Sequence, residues 1–410
     1  MQFLFVTDRV ENPASVNVAL AYRTLEALLR QGHSADILEL WDGTSPLPDA
    51  PAGCTRTLLD FPDERLMNEI LAYGAKGGTP VPLRLAKLAC HPAAARAAVL
   101  QLALHRPRRT TAAKAAIEKL CAAKAYDAVV CVCAPYRTAF ALETARISAK
   151  KLLWQMDPYA GQHGYRAPGG FAREKQLIDA MHRVFIAPTA LPDYAPGAPL
   201  YEVRGKMRVL GFPALVPMPD PAPHEGLRCT FCGSLYPGLR QPDFALALFS
   251  ALDDPRLTLT MAGRGWQPFA DAARKAGQVL GSRLVLPGPV PPDEAARLEQ
   301  DADILVSLGN ARDEQMPSKI FAFLGSGKPI LHLAASESDP VLAFLAQYPL
   351  ALVLQQKDGV TPEIAARLRA WLDNTQGQRL PYAETAALFP AYTPDVTAQA
   401  LVNGIEKESL

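Results

Sequence analysis

Seven cysteines in 410 residues, an odd number and widely scattered, do not make a disulfide framework, so free thiols in a reducing compartment are expected. No secretory leader is expected: the chain opens on a strand-like MQFLFVTD, without a basic segment or a small-residue cleavage site. Nor does any run suit a membrane span. The nearest approach, Pro340 to Gln356, is uncharged but broken by Pro349 and carries Gln347, Gln355 and Gln356, so it reads as a buried helix followed by a strand. Glycine (27) and proline (37) stay below the level that marks disorder. What remains is an ordinary globular mix, 49% apolar and 20% charged, on a chain long enough for two domains. The cytoplasm is the expected location.

A net charge of +1 conceals an asymmetry. Between Lys76 and Lys124 ten basic residues stand against one acid, Glu118, interspersed with Leu83, Leu85, Leu88, Val99, Leu100, Leu102 and Leu104. Basic amphipathic helices of this kind can lie on anionic lipid, which makes a peripheral position on the inner membrane face one reading. A solvated helix face without a partner is the other. Nucleic acid is not an expected partner, because the window has no aromatic residue on which bases could stack.

Strand and helix patterns alternate along the N-terminal half: Phe3 to Thr7, Ala35 to Leu40, Tyr126 to Cys133 and Lys151 to Met156 read as strands, and Val16 to Arg30 as a helix closed by Gly32. A dense proline run from Tyr194 to Gly226 interrupts the rhythm and reads as a semi-rigid connector. Alternation then resumes with strands expected at Arg228–Cys232, Leu257–Met261, Arg283–Leu286, Ile304–Leu308, Pro329–Leu333 and Leu350–Leu354. These patterns describe an α/β protein with two Rossmann-like domains, 1–205 and 227–389, joined by a linker at 206–226. Thr393 to Ile405 is a last amphipathic helix, and the stretch from about 390 to 410 is expected to pack back on the first domain.

The most informative segment is GNARDEQMPSKIFAFLGSGKPIL, Gly309 to Leu331. A buried strand leads in, Pro317 stands where a first helical turn begins, and Ser318 and Lys319 follow. Free backbone N–H groups, a hydroxyl and an ammonium at one helix N-terminus make an anion site, although helix physics alone leaves a plain strand–helix–strand unit equally open.

The run EQMPSKIFAFLGSGKPIL resembles the donor-site motif of retaining GT-B glycosyltransferases, the large family 4-like group that uses nucleotide sugars to build polysaccharides and glycolipids. CTFCGSLYPGLRQPD resembles the strand and glycine turn that open the family's donor domain, and LTLTMAGRG and LVLPGPVPPDEAARLEQDADILVSL resemble its next strands. The likeness covers most of Gly226 to Leu333 and is much fainter over residues 1–200. It implies a GT-B fold, two Rossmann-like domains with parallel sheets facing a central cleft. It further implies transfer of a sugar from a nucleotide-diphosphate donor to a glycan or lipid-linked acceptor, with the anomeric configuration retained. The nucleotide sugar is a co-substrate, and neither a bound cofactor nor a metal is expected.

Carried over position by position, the resemblance gives Gly233 and Ser234 close approach to the diphosphate. Arg240 and Lys319 would neutralise it, with Arg264 a further candidate. Pro289 and Val290 would flank the nucleobase, Glu314 would hold hydroxyls of the transferred sugar, and Met316, Pro317, Ser318 and Ile320 would also contact the donor. One departure stands out: eight positions after Glu314, where the family has a ribose-gripping glutamate, this chain has Ala322. A non-catalytic nucleotide-sugar-binding scaffold would also fit such a chain, whereas a GT-B-type sugar-nucleotide epimerase would need acid/base carboxylate or histidine groups that the donor-domain sequence does not place. On the acceptor side Asp157 and His163, in LLWQMDPYAGQHGYR, and Arg9, Ser15 and Asn17, between the first strand and first helix, qualify by position.

Several tempting signals fall away. Cys229/Cys232 and Cys131/Cys133 lie in apolar strand runs without a nearby histidine, which suits buried thiols better than zinc. Gly325-Ser326-Gly327-Lys328 lacks the earlier glycine and the Ser/Thr of a P-loop, and Gly263-Arg264-Gly265 lacks the third glycine of a dinucleotide fingerprint.

Overall fold

The computed structural model describes residues 1–8, 16–41, 47, 49–77, 81–99, 108–161, 167–252, 254–311 and 319–406. It divides into two compact units, Met1–Gly211 with Pro394–Leu410, and Phe212–Thr393.

The first unit is built on strands β1 (Gln2–Asp8), β2 (Ser34–Trp41), β3 (Thr55–Asp60), β4 (Ala128–Cys133), β5 (Lys150–Gln155), β6 (Arg183–Ile186) and β7 (Met207–Val209). Its helices are α1 (Val16–Arg30), α2 (Pro62–Gly77), α3 (Val81–Ala89), α4 (Pro92–Ala98), α5 (Arg108–Ala123), α6 (Arg137–Thr144) and α7 (Gly170–Asp179). All strand pairs are parallel, in the order β3-β2-β1-β4-β5-β6-β7. A parallel strand needs a crossover to reach its neighbour, and the crossover helices cover the sheet. Phe3, Leu4, Phe5 and Val6 are accordingly all fully buried, four in a row rather than alternate. Leu4 and Val6 share a core with Ala113 and Ile117 of α5 and with Ala139 and Leu142 of α6. At roughly 1.5–3 kcal/mol per large apolar side chain buried, β1 alone anchors the sheet.

The second unit repeats the plan with β8 (Leu227–Cys232), β9 (Leu257–Ala262), β10 (Leu284–Gly288), β11 (Ile304–Leu308), β12 (Ile330–Ala334) and β13 (Ala351–Gln355). Its helices are α8 (Asp243–Leu252), α9 (Ala270–Leu280), α10 (Pro292–Gln300), α11 (Lys319–Ser326), α12 (Leu342–Leu345), α13 (Pro362–Thr375) and α14 (Tyr382–Leu388). Strand order is β10-β9-β8-β11-β12-β13, again all parallel. The final helix, α15 (Pro394–Ile405), belongs to the first unit, where Asp395 accepts from Arg30 at 3.1 Å and Lys150 donates to the Ile405 carbonyl.

Three strands escape a reading of hydrophobic runs. β3 (TRTLLD) is half polar, β6 has four residues and β7 three, and β3 and β7 are sheet edges. β7 falls inside 206–226, the expected linker. The prolines after it are held rather than free. Leu215 N–H donates to Tyr392 O at 3.1 Å, and Arg379 donates to the carbonyls of Met218 and Pro219.

Cys131, Cys133, Cys229 and Cys232 lie buried on β4 and β8, and among the described residues no three His, Cys, Asp or Glu side chains cluster as a metal site. Burial pushes the Cys232 thiol up to about 12, the nearby Glu299 adding to the shift, and those of Cys131 and Cys229 higher still. Cys90, by contrast, is exposed. Iodoacetamide at pH 8 is therefore expected to label Cys90 in the native protein and the four strand thiols only after denaturation. Mass spectrometry of the labelled peptides checks this, and native labelling of Cys229 or Cys232 would contradict the burial.

Candidate functional site

In a doubly wound parallel sheet, the first strand sends its crossover to one side and the third sends the next to the other. The loops therefore part at the carboxyl ends of the first and fourth strands. In the second unit those strands are β8 and β11. β8 ends at Cys232 and is followed by Gly233 and Ser234; β11 ends at Leu308 and is followed by Gly309 and Asn310.

Two cationic side chains span that opening. Arg240 donates from Nε to Asn310 Oδ1 at 3.1 Å and from Nη1 to the Ser234 carbonyl at 3.4 Å, so it touches both loops. The loops are stitched together as well, Ala311 N–H donating to Leu239 O at 2.8 Å. Lys319 opens α11 and donates from Nζ to the Cys232 carbonyl at 2.6 Å, at the tip of β8. Its ammonium also pairs with Glu299 at the end of α10. The two differ in compensation. Among the described residues no carboxylate lies within 4 Å of Arg240, and its contacts are neutral oxygens. Burial holds its pKa below the usual arginine value, with opposing pulls from Tyr236 and Asp339. An arginine stays ionised even so, and a partly buried guanidinium facing neutral acceptors is half of an anion site.

Lys328, the lysine of the rejected P-loop-like string, is spent elsewhere. It is 3% exposed and donates to the carbonyls of Glu299 at 3.0 Å, Ala302 at 2.6 Å and Gln300, closing the C-terminal end of α10. Cations favour that end of a helix dipole. The same contact fixes the helix turn from which Glu299 reaches Lys319.

Glycine shapes the loop after β8, though not quite as sequence suggests. The Gly233 N–H is committed to Ala262 O at 2.9 Å, and a Cβ at Gly233 would meet the Phe231 ring at 2.9 Å. Its missing side chain makes room for Phe231. Gly263, at φ +148°, is the tighter constraint, because a Cβ there would stand 1.7 Å from Gly233 O. Arg264 is exposed and its carbonyl accepts the Leu235 N–H at 2.9 Å, which sets it beside the same loop. Pro289 and Val290 follow β10, two strand spacings or about 10 Å from β8. The Ile320 side chain is core, 2% exposed, so only its backbone could face a ligand. Glu314, Met316, Pro317 and Ser318 lie outside the described residues, as do Arg9, Ser15 and His163.

The corresponding place in the first unit, at the ends of β1 and β4, holds two carboxylates and two guanidinium groups among the described residues. Asp8, 1% exposed, accepts from Arg137 at 2.7 Å; Arg109 lies 3.7 Å from its other oxygen and donates to Glu64 at 2.6 Å. Burial raises the Asp8 pKa, against the pull of the two guanidinium groups. Nearby, Asn17 donates to Asp157 at 3.3 Å and to Ala134 O at 3.2 Å, and the Tyr136 hydroxyl donates to Asp157 O at 2.6 Å. Two of the acceptor-side candidates, Asn17 and Asp157, are thus brought together. Neutral amide and hydroxyl groups beside a carboxylate suit ligand hydroxyls better than phosphate. Sequence reasoning missed Asp8, Arg109 and Arg137 here, and Glu299 and Asn310 in the second unit. A polar residue closing an apolar strand run, as in FLFVTD, was the available signal for Asp8.

No protein-family model matches the sequence, and no curated protein sequence does. Solved structures do match. A glycosyltransferase from Rickettsia africae is 10% identical with a TM-score of 0.56, and the match covers 100% of this chain and 99% of that one. An S. aureus TarM variant in complex with UDP is 8% identical at 0.55, covering 99% and 100%. UDP-GlcNAc 2-epimerase from Methanocaldococcus jannaschii is 10% identical at 0.51, covering 98% and 100%. At these identities the likeness is one of fold: the chain has the GT-B plan of two Rossmann-like units on parallel sheets.

Replacing Gly263 by alanine tests the loop geometry. Backbone strain alone costs about 1–3 kcal/mol, and the contact with Gly233 O adds to it, so a loss of at least about 2 kcal/mol is expected in urea melts. An unchanged midpoint would remove the tight approach from the account.

Proposed function

We propose that this protein is a retaining glycosyltransferase that moves a sugar from a nucleotide-diphosphate donor to a glycan or lipid-linked acceptor. The observation that carries the reading is that Arg240 and Lys319 both reach the chain at the end of β8, through the Ser234 and Cys232 carbonyls, at the β8–β11 opening of the second unit. Breaking the bond between sugar and diphosphate leaves charge on the departing oxygen. Fixed cations and helix N–H groups stabilise that charge as it develops, without reorganisation at the moment of reaction. The N-terminal end of α11 contributes in the same sense, by about 0.3–1 kcal/mol. Ser234 lines the diphosphate with Arg264 beside it, Pro289 and Val290 take the base, and Glu314 with Met316, Pro317 and Ser318 takes the sugar. Asn17 and Asp157 serve the acceptor. Retention requires no separate enzymic base, since attack from the leaving-group face lets the departing phosphate accept the proton.

One feature favours a second reading. Ala322, on α11, offers no carboxylate for the ribose, which would suit a scaffold that binds nucleotide sugars without turning them over. An epimerase is less well supported. Its chemistry needs acid and base groups in contact with substrate, but of the histidine–carboxylate pairs in this unit His332–Asp339 is 0% and 5% exposed, and His224–Asp303, 3.4 Å apart, lies at the amino ends of β8 and β11, away from the opening.

Lys319→Ala and Glu314→Ala are each expected to lower transfer by about 10²–10³-fold, the scale of losing one preorganised donor, with melting temperature held near wild type. Sugar release from a panel of nucleotide sugars checks this. Wild-type turnover in either variant would refute the assignment, and nucleotide-sugar binding without release or transfer by wild type would favour the scaffold.

The proposal extends to an anionic membrane surface. Leu83, Leu85 and Val99 are 63%, 55% and 54% exposed on and after α3 and α4, close in sequence to exposed Lys87 and Arg96. The basic residues at the α5 end of the window are paired with acids: Arg108 with Asp63, buried Arg109 with Glu64, Lys114 with Glu118 and Lys124 with Asp36. Lipid contact is therefore assigned to α3 and α4. A leucine fully buried in the interface contributes about 1.5–3 kcal/mol, so Leu83→Gln with Leu85→Gln is expected to weaken sedimentation with phosphatidylglycerol vesicles at least tenfold. Absence of wild-type binding at low salt would defeat this part. Among the described residues no helix is long and apolar enough to cross a membrane.

A further inference from the structure

We infer that Asn310 is a positioning residue that aims the Arg240 guanidinium, and that a Ser307–His332–Asp339 column, its histidine and aspartate buried, holds Asn310 in place. This rests on the diphosphate-binding reading of the same site.

Asn310 is 6% exposed, and its Oδ1 accepts the Arg240 Nε–H at 3.1 Å. With Nε engaged and Nη1 leaning on Ser234 O at 3.4 Å, the outer edge of the guanidinium is what remains for a ligand. A long arginine side chain loses rotamer freedom when it binds an anion, and an acceptor that fixes it beforehand reduces that loss. The acceptor is an amide. A carboxylate in its place would hold the guanidinium equally well but neutralise the charge that the phosphate needs.

Asn310 is in turn held by its surroundings. Gly309 N–H donates to Leu333 O at 2.9 Å and Ala311 N–H to Leu239 O at 2.8 Å, pinning the turn on both sides. Beneath it the chain is packed so closely that a Cβ at Gly309 would lie 2.6 Å from Asp339 Oδ2 and 2.8 Å from Ala335 N. Asp339 cannot drift away, because Oδ2 faces His332 Nε2 at 3.1 Å and Oδ1 accepts the Val341 N–H at 3.0 Å. The other ring nitrogen, Nδ1, meets Ser307 Oγ at 3.0 Å, so the column crosses from β12 to β11 at the register pair Ser307 and His332. Leaving one member of a buried network unpaired costs more than the bond itself, which makes the column a stiff support.

The test is calorimetric titration of the full chain with UDP, GDP and pyrophosphate, in a double-mutant cycle. Asn310→Ala is expected to weaken binding about tenfold with an unchanged melting temperature, and to add less than twofold in an Arg240→Gln background. Asn310→Asp keeps the volume and the acceptor and covers the case in which the alanine variant unfolds; it too is expected to weaken binding at least tenfold. Unchanged affinity in the aspartate variant, or a tenfold loss from Asn310→Ala that persists without Arg240, would overturn the inference while leaving the site intact. Wild-type protein that binds none of the three anions would overturn the underlying reading and the inference with it.

Discussion

A buried or half-buried arginine is costly unless something completes its hydrogen bonds and answers its charge. In the second unit Arg240 has its hydrogen bonds but, among the described residues, no carboxylate within 4 Å, only the longer-range pull of Asp339: an amide oxygen stands on one side, a backbone carbonyl on the other. The strand order makes this arrangement available. Because the crossovers diverge at β8 and β11, the loops after those strands stand apart, and a side chain reaching both can remain open to a ligand. Much of the neighbouring structure serves that geometry. Gly263 lets the loop after β9 press on Gly233, Lys328 closes α10, and α10 presents Glu299 to Lys319.

The first unit makes an instructive contrast. Its sheet has the same order through six strands, yet the same topological position holds two carboxylates and two guanidinium groups that answer one another. Burial of such a set is tolerable because each charge is paired, and truncating any one member would leave another stranded. Topology provides two openings, and side-chain chemistry distinguishes them. Among the described residues, Arg240 at the β8–β11 opening has no paired carboxylate, whereas at the β1–β4 opening each guanidinium has one, and the edge carries the Asn17 amide, the Asp157 carboxylate and the Tyr136 hydroxyl.

How much of this could be read beforehand follows from the physics of each feature. Apolar runs mark strands, so β1, β2, β4, β5 and all six strands of the second unit, its half-exposed edges β10 and β13 included, were legible to within a residue or two. β3, β6 and β7 were not, because edge position and short length remove the need for a continuous apolar run. The cations at the β8–β11 opening, Arg240 and Lys319, were nominated through the P-S-K-I-F block and the glycine turn. Their partners were not: Asn310 and Glu299 are brought to Arg240 and Lys319 by the fold, from 70 and 20 residues away in the chain, and no local pattern marks them. The strand cysteines were legible as core, since an apolar run without histidine leaves a thiol nothing to do but pack.

The central claim is that a diphosphate binds at the β8–β11 opening through Arg240 and Lys319. A crystal structure with UDP bound tests it most directly. The account predicts phosphate oxygens within hydrogen-bonding distance, about 2.7–3.2 Å, of the Arg240 guanidinium and of the Lys319 ammonium or the first backbone N–H groups of α11. UDP bound elsewhere on the chain, with Arg240 still facing only Asn310 and Ser234, would contradict it.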